Sequence, residues 1–317
     1  MKITEHINNA DSTLFSLEII PPKKGDSIKN LFNQIDPLME FKPPFIDVTY
    51  HREEYVYKER ENGLLEKRSI KKRPGTVGIC AAIKNHYDVD PVPHMICGGF
   101  SKEETENALI DLNFLGIDNV LALRGDSIKS EDSFKPEPDG NAYASELVDQ
   151  ICKMNHGEYM DDELQNAIPS NFCIGVAGYP EKHFEAPNMD FDLGWLKKKV
   201  ELGAEYIVTQ MFFDNKVYFK FVEDCKSIGI NVPIIPGLKP IATKKHLTVL
   251  PKIFKIDVPK ELEQEVVKCK DNSEVKELGI EWGIAQCKEL IEQGVPVLHF
   301  YSMGKSDAIQ RIAREFF

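Results

Sequence analysis

A glutamate inside an apolar segment is the clearest chemical signal in this sequence. Glu18 lies in the run FSLEII at residues 15–20, which predicts a buried strand, and Pro21 and Pro22 follow it. A poorly solvated carboxyl group has a raised pKa and can act as a general acid near neutral pH. The alternative is a carboxylate on an edge strand, solvated or paired with a lysine.

Two basic segments could bind an anionic ligand. Arg124, Gly125 and Asp126 directly follow the apolar run VLAL at 120–123, and a cation, a flexible backbone and an anion together suit a phosphate or a polar heterocycle. The run KKK at 197–199 is expected to open the helix after the fifth strand, where its ammonium groups would reach diphosphate oxygens. A surface turn and a solvated helix face are the respective alternatives.

Metal and nucleotide signatures are weak by comparison. His94 and Cys97 form an HxxC pair, but zinc needs three or four ligands and no second cluster stands at a suitable spacing, so no metal is expected. His94 is predicted to donate a hydrogen bond and Cys97 to lie in the core. The sequence has no GxGxxG after a strand, no phosphate-binding P-loop and no GxSxG nucleophile elbow.

A repeated unit must position these residues: an amphipathic helix, a glycine that ends it, and a short apolar strand that runs into polar residues. Ser101 and Glu104 form a capping box at the start of one such helix, and Gly116 ends it. The same order recurs around Gly203 and Gly294. Fully apolar short strands that alternate with helices predict a parallel sheet covered on both faces.

Eight such strands predict an α/β fold, a (β/α)8 TIM barrel with extra surface helices, as one domain over residues 1–317. The predicted strands are 14–20, 45–50, 94–97, 120–123, 172–178, 206–209, 234–235 and 296–300. The charged stretch 251–278 is expected to supply the extra helices, and 51–74 and 127–140 are expected to be long loops. Active sites of this fold lie at the C-terminal ends of the strands. The polar residues predicted there include Glu18, Thr49, His94, Arg124, Asp126, Tyr179, His183, Gln210 and Tyr301.

Composition excludes several other classes of protein. The 317 residues carry 39 Lys and Arg against 51 Asp and Glu, a net charge of −12, without the basic patch that nucleic-acid binding requires. The first residues, MKITEHINNADS, lack the apolar core of a secretory signal, and no run is long enough to span a membrane. Seven scattered cysteines without a CxxC pair favour reduced, mostly buried thiols, so we expect a cytoplasmic protein.

With these residues placed, the chain resembles 5,10-methylenetetrahydrofolate reductase of the single-domain bacterial type, from about residue 15 to residue 314. The resemblance depends on nine ordered motifs: FSLEIIPP at 15–22, DVTY at 47–50, HMIC at 94–97, LALRGD at 121–126, YASEL at 143–147, GYPEKH at 178–183, TQMFFD at 209–214, PGLKP at 236–240 and HFY at 299–301. Nine motifs in this order, at strand ends of a predicted barrel, are highly specific.

The resemblance implies a flavoprotein in which NAD(P)H gives a hydride to FAD and the reduced flavin gives it to methylenetetrahydrofolate, in ping-pong order. Glu18 matches the general acid that protonates the amine nitrogen on which the folate ring opens. Asp126 matches an aspartate beside the flavin that also contacts the pterin, and Gln210 matches a residue that hydrogen-bonds the pterin. No metal, nucleic acid or membrane partner is implied, whereas a homo-oligomer (dimer or tetramer) is.

Carried over by position, the resemblance assigns two sets of binding residues. The cofactor set is Thr49, His94, Leu123, Arg124, Gly125, Asp126, Tyr143, Ala144, Tyr179, His183, Ala186, Asp192, Lys198 and Lys199. The substrate set is Glu18, Asp126, Gln210, Tyr301 and Lys305. The C-terminal extension through which S-adenosylmethionine inhibits eukaryotic relatives is not expected, because the chain ends at Phe317.

Three positions depart from the family pattern, and two other functions remain open. Trp195 stands where some relatives have a polar residue near the adenosine, Lys198 where others have arginine, and Lys244 where an aromatic residue packs on substrate. The preference between NADH and NADPH stays open, as does another electron donor. The alternatives are another flavin-dependent barrel, such as a proline dehydrogenase-like enzyme, and an inactive barrel that serves as a binding subunit.

Overall fold

Nine short parallel strands form one sheet that bends round into a barrel in the computed structural model, which describes residues 1–128 and 131–317. The strands are β1 (Leu14–Ile19), β2 (Phe45–Val48), β5 (Asp90–Ile96), β6 (Asn119–Leu123), β7 (Cys173–Gly178), β8 (Tyr206–Thr209), β9 (Ile234–Ile235), β10 (Gly237–Leu238) and β11 (Val297–Tyr301). All eight predicted strands are therefore present, and the predicted barrel is confirmed.

The ring closes at a proline. β9 pairs with β8 on one side, β10 pairs with β11 on the other, and Pro236 alone separates β9 from β10. Because proline has no N–H group, it cannot donate to a strand ladder, which interrupts the seventh barrel strand at this point. The carbonyl of Pro236 still accepts a hydrogen bond from the N–H of His299 (3.2 Å).

Helices cover the outside of the barrel. They are α1 (Ile3–Asn8), α2 (Ile28–Ile35), the 3₁₀ helix η1 (Asp36–Phe41), α3 (Thr76–Tyr87), α4 (Lys102–Phe114), α5 (Ala144–Asn155), α6 (Met189–Glu201), α7 (Asn215–Ser227), α8 (His246–Phe254), α9 (Lys260–Lys268), α10 (Asn272–Glu292) and α11 (Asp307–Ala313). α8 and α9 confirm the predicted extra helices. The capping box of Ser101 and Glu104 starts α4, and Gly116 follows its end at a φ of +65°, as the sequence predicts. Within the described part of the chain, no helix is both long and apolar enough to cross a membrane.

The barrel interior has an apolar lower half and a polar upper half. Side chains alternate along a strand, so Phe45 and Asp47 share the inner face of β2, and Val92 and His94 share that of β5. The lower, apolar cluster consists of Ile3, Phe45, Val92, Leu121, Cys173, Tyr206, Val208, Ile235 and Val297. Helix α1 contributes Ile3 from below, which leaves polar side chains to fill the end where the strands finish.

Two expectations from the sequence are wrong. Residues 51–74 are not a plain loop: β3 (Glu54–Glu59) and β4 (Leu65–Ile70) form an antiparallel hairpin whose turn holds Gly63 at a φ of +76°. Its strands are mostly exposed, so they lack the apolar alternation that predicts a half-buried strand. Lys197, Lys198 and Lys199 do not open a helix, because α6 begins at Met189 and the three lysines lie near its end.

The loop predicted at 127–140 contains neither a helix nor a strand in its described part, and positions 129 and 130 lie outside the described residues.

Candidate active site

The carboxyl group of Glu18 lies at the C-terminal end of β1, in register with Tyr301 of β11 and with Asp47 of β2. Its side chain is 14% exposed. Burial raises its pKa to about 7; the charge of His94 lowers the pKa, that of Asp47 raises it and that of Lys239 lowers it. Glu18 is therefore an inward-facing, poorly solvated acid, not an edge-strand carboxylate.

His94 lies between two carboxylates. Its Nε2 atom is 3.5 Å from Oε2 of Glu18 and 3.6 Å from Oδ2 of Asp47. Burial alone lowers the pKa of His94, but the contact with Asp47 and the charges of both carboxylates outweigh it, so the pKa of His94 is raised. The two carboxylates therefore stabilise the charged form of the imidazole. The predicted hydrogen bond from His94 is absent at Nε2, which meets its two neighbours just beyond hydrogen-bond length.

A polar layer from β8, β10 and β11 completes this part of the mouth. The hydroxyl of Tyr301 donates to the carbonyl of Thr209 (2.7 Å), and the ammonium of Lys239 donates to the carbonyl of Tyr301 (3.1 Å). Burial lowers the pKa of Lys239 to about 8, the charge of Glu18 raises it and that of Lys305 lowers it. Lys305 is itself exposed at the rim.

Gln210 stands half-buried directly after β8, where its side-chain oxygen accepts a hydrogen bond from the N–H of Met211 (3.0 Å). Lys244, in contrast, is exposed and donates to the carbonyl of Val267 in α9 (3.3 Å).

The segment after β6 brings its backbone close to the neighbouring strand. Gly125 has a φ of +83°, and a Cβ atom there would lie 3.3 Å from Ile96, so glycine suits both the conformation and the space. Arg124 pairs with Glu185 at 2.6 Å, and its guanidinium lies 5.1 Å from the ring centroid of Phe134. Asp126 is exposed, and Leu123 is half-buried at the end of β6.

A narrow cleft lies between the end of β7 and α6, lined in part by Tyr179, Asp192 and Lys199. The ammonium of Lys199 donates to the carbonyl of Ala177 (2.8 Å), and burial lowers its pKa to about 8 although the charge of Asp192 raises it. The carboxylate of Asp192 accepts from the N–H of His183 (2.8 Å). Although α6 does not begin with lysines, the side chain of Lys199 reaches back to the end of β7 where an anion could bind.

Aromatic side chains form the outer wall beside this cleft. The rings of Tyr143 and Trp195 are nearly parallel, 6.0 Å apart between centroids, and both are substantially exposed. Ala144 begins α5 next to them. Lys198 is exposed on the last turns of α6, and Ala186 is buried in the loop before that helix.

The structure thus gathers most of the predicted residues at one end of the barrel. Thr49, His94, Arg124, Gly125, Tyr179 and His183 lie at or just beyond the ends of successive strands, with Glu18, Gln210 and Tyr301. Asp192 and Lys199 lie on α6, and the side chain of Lys199 reaches the end of β7. Lys198, Lys305 and Asp126 are exposed.

Three residues with a place in this site were not predicted: Asp47, Lys239 and Arg52. Asp47 is fully buried, and within the described residues neither of its carboxylate oxygens has a hydrogen-bond partner. The sequence pattern that identified Glu18, a charged residue inside an apolar strand, also applies to Asp47. Lys239 and Arg52 lie in loops, where a basic residue has no distinguishing pattern. The Nη2 atom of Arg52 contacts Glu131 at 3.0 Å, whereas its Nη1 is buried without a hydrogen-bond partner in the described chain.

Comparison with known proteins places this chain in a family. The family model described as methylenetetrahydrofolate reductase matches residues 2–316. The chain is 34% identical over 316 residues to methylenetetrahydrofolate reductase (NADH) 1 of Arabidopsis thaliana, covering 96% of this chain and 48% of that protein. It is 31% identical to 5,10-methylenetetrahydrofolate reductase of Escherichia coli, covering 92% of this chain and 86% of that protein. The chain therefore spans about half the length of the plant relative.

A solved structure supports the fold. The chain resembles a Clostridium thermocellum protein whose structure is described as binding two copies of 5-methyl-5,6,7,8-tetrahydrofolic acid. The TM-score is 0.57 at 17% identity, and the match covers 98% of this chain and 97% of that one.

Proposed function

This chain belongs to the methylenetetrahydrofolate reductase family, and we propose that it uses bound FAD and NAD(P)H to reduce 5,10-methylenetetrahydrofolate to 5-methyltetrahydrofolate. The observation that carries the proposal is the carboxyl group of Glu18. It is held at the barrel mouth with a pKa of about 7, so it is partly protonated at neutral pH. Opening of the folate ring needs such a proton donor.

The residues at the mouth fit FAD. Thr49 Oγ1 and His94 Nε2 are buried without a hydrogen-bond partner among the described residues, which suits a polar ring system that would supply one. Arg124 and Lys199 offer positive charge for a diphosphate, and the exposed rings of Tyr143 and Trp195 offer apolar faces for a base. When bound, FAD supplies the hydride-carrying chemistry between the nicotinamide and the folate.

On this proposal, Glu18 moves the proton. The Glu18 carboxyl donates its proton to the amine nitrogen that leaves the methylene carbon of the folate, and it becomes a carboxylate. Because the pKa of Glu18 is raised to about 7, a substantial fraction of the carboxyl groups carries this proton at physiological pH, whereas an ordinary glutamate would be almost entirely ionised. The side chain of Glu18 is only 14% exposed, which limits the access of water to this proton.

Gln210, Asp126 and Lys305 bind the folate in this scheme. The side-chain amide of Gln210 has both donors and an acceptor for a pterin edge. Asp126 places a negative charge beside the positive charge that develops when the ring opens. Lys305, exposed at the rim, offers an ammonium to the carboxylates of the folate tail.

The test is a flavin titration without oxygen. The purified protein, incubated with FAD and desalted, should be yellow; NADH or NADPH should bleach the flavin absorbance, and methylenetetrahydrofolate should restore it. A protein that retains no FAD would refute the proposal. A protein that retains FAD but does not respond to methylenetetrahydrofolate would refute the substrate, and oxidation of proline would then select the proline dehydrogenase-like alternative.

A further inference from the structure

The Asp47 carboxylate is the most deeply buried charge near the site, and its role is not explained by the proposed reaction. It is fully buried on β2, and neither oxygen has a hydrogen-bond partner in the described residues. An isolated buried carboxylate is costly, so a neighbour must neutralise it. The cationic group in contact with it is His94, at 3.6 Å.

We propose that Asp47 is a positioning residue that acts through His94: it keeps the imidazole charged, and the charged imidazole stabilises the carboxylate that Glu18 becomes when it gives up its proton. This role rests on the proposed function, because it assumes that Glu18 is the proton donor. The O–H bond of Glu18 breaks, an N–H bond forms on the folate, and His94 keeps its own proton throughout.

The geometry supports this order of action. The Nε2 atom of His94 is 3.5 Å from Glu18 and 3.6 Å from Asp47, so one imidazole faces both carboxylates. Of the three groups, Glu18 alone is near solvent, at 14% exposure against 7% for His94 and 0% for Asp47. Asp47 therefore does not contact a substrate at the mouth: it acts through its contact with His94 and, more weakly, through its own charge on Glu18.

Other ionisable groups near the three residues do not replace Asp47. The charge of Lys239 reaches Glu18 from the β10 side. Within the described residues, the other titratable neighbours of the three are His51, Cys80, Tyr206, His299 and Tyr301. Burial and the charge of His94 lower the pKa of His299, which favours its neutral form, although the charge of Asp47 raises it; its Nδ1 is hydrogen-bonded to Ser16 (2.8 Å).

The positions of these groups determine whether Asp47→Asn raises or lowers the pKa of His94 and of Glu18. In Asp47→Asn the pKa of His94 falls below its usual 6.5, because burial is no longer opposed by the stronger of its two anionic contacts. Loss of the imidazolium charge then raises the pKa of Glu18, whereas loss of the Asp47 charge lowers it. The first effect prevails because the charge of His94 acts on Glu18 more strongly than that of Asp47. Glu18 becomes a weaker acid and donates its proton more slowly.

The first measurement needs no cofactor or substrate. A histidine NMR titration, with the His94 signal assigned by His94→Gln, should give a His94 midpoint above 6.5 in the unmodified chain and below 6.5 in Asp47→Asn. Asp90→Asn is the matched control: Asp90 is also paired with a histidine, His6 at 2.7 Å, but at the opposite end of β5. It should leave the His94 midpoint unchanged. An unchanged midpoint in Asp47→Asn would overturn the proposal, whatever the reaction of the protein.

The second measurement follows the two half-reactions by stopped flow across pH. In Asp47→Asn, the rate of flavin reduction by the nicotinamide should fall much less than the rate of folate reduction, because only the second step uses the Glu18 proton. The maximal rate of folate reduction should fall by about tenfold or more, and the midpoint of its pH dependence should move to higher pH. A shifted His94 midpoint with unchanged folate kinetics would overturn the positioning role. An unmodified protein that lacks both half-reactions would instead defeat the proposed function, while the titration still decides whether Asp47 holds His94 charged. Asp47→Ser serves as the second variant if Asp47→Asn does not fold.

Discussion

Glu18→Gln should make the protein more stable at alkaline pH while removing folate reduction. The substitution keeps the size and shape of the side chain but cannot ionise. In the folded protein the pKa of Glu18 is raised from 4.5 to about 7, mainly by burial, whereas an unfolded chain exposes the group to water. The folded state therefore resists ionisation, and the glutamate opposes folding wherever it is charged.

The size of the effect follows from those two pKa values. The difference between 4.5 and about 7 corresponds to about 3 kcal/mol of unfolding free energy, which is an upper limit because His94 shares the charge. Below pH 4.5 the carboxyl is protonated in both states, and the variant should match the unmodified protein. As pH rises from 4.5 to 7, ionisation of Glu18 is favoured only in the unfolded chain, so the unfolding free energy of the unmodified protein falls relative to that of the variant. Above pH 7 this difference no longer grows.

Urea unfolding at pH 4.5, 6 and 8.5 measures this difference. The variant should become progressively more stable than the unmodified protein over this range, by up to about 3 kcal/mol at pH 8.5. Glu61→Gln, in the exposed turn of the β3–β4 hairpin, is the matched control and should show no such trend. A stability difference that is the same at all three pH values would refute the buried-acid interpretation of Glu18.

The same variant tests the chemistry. Reduction of the flavin by the nicotinamide should survive, because that step does not use the Glu18 proton, whereas folate reduction should be lost. In the unmodified protein the rate of folate reduction should decline above about pH 7, about tenfold for each further pH unit, as Glu18 ionises. Equal loss of both half-reactions in Glu18→Gln would show that the residue holds the cofactor and is not a folate-specific acid.

Three further predictions concern the cofactor and the barrel. Lys199 has a pKa of about 8 and is charged below that pH, so FAD affinity, measured by fluorescence quenching, should fall as pH rises above 8, and Lys199→Met should abolish that dependence. Arg124→Met removes a charged hydrogen-bond donor worth about 1.5–3 kcal/mol, so the dissociation constant of FAD in the same assay should rise by roughly 10- to 100-fold; an unchanged constant would exclude a diphosphate contact. Gly175→Ala places a Cβ atom inside the ring of Tyr206 and should destabilise the barrel by about 1–3 kcal/mol in urea, whereas Gly194→Ala, with open space on helix α6, should stabilise it by about 1 kcal/mol.

The barrel was predictable because its strands are short and wholly apolar and its helices carry local start and stop signals. Ser101 caps α4, as the capping box predicts, since a capping side chain bonds only to its own first turn. The β3–β4 hairpin was missed because it lies mostly in solvent and buries no apolar face. The start of α6 was missed because Asn188, the residue that caps it, lies nine residues before Lys197.

The residues of the site also fall into two groups, those that the local sequence identifies and those that depend on a distant neighbour. Glu18, Arg124 and Gln210 could be located because each directly follows or interrupts an apolar strand. Asp47 gave an equally strong signal, but its importance depends on a neighbour 47 residues away, His94. The place of Lys239 in the site depends on its hydrogen bond to the carbonyl of Tyr301, which lies on β11. No local pattern encodes a contact between residues so far apart in the chain.

The sequence by itself determined the order of strands and helices, the end of the barrel that carries the polar residues, and the family to which the chain belongs. Each of these follows from residue types within a few positions of one another. The tertiary structure alone decided that Glu18, His94 and Asp47 meet, and that the pKa values of Glu18 and His94 are both raised. Those shifts arise from burial and from charges less than 4 Å apart through space, and β1, β2 and β5 bring these groups together only when the sheet is formed.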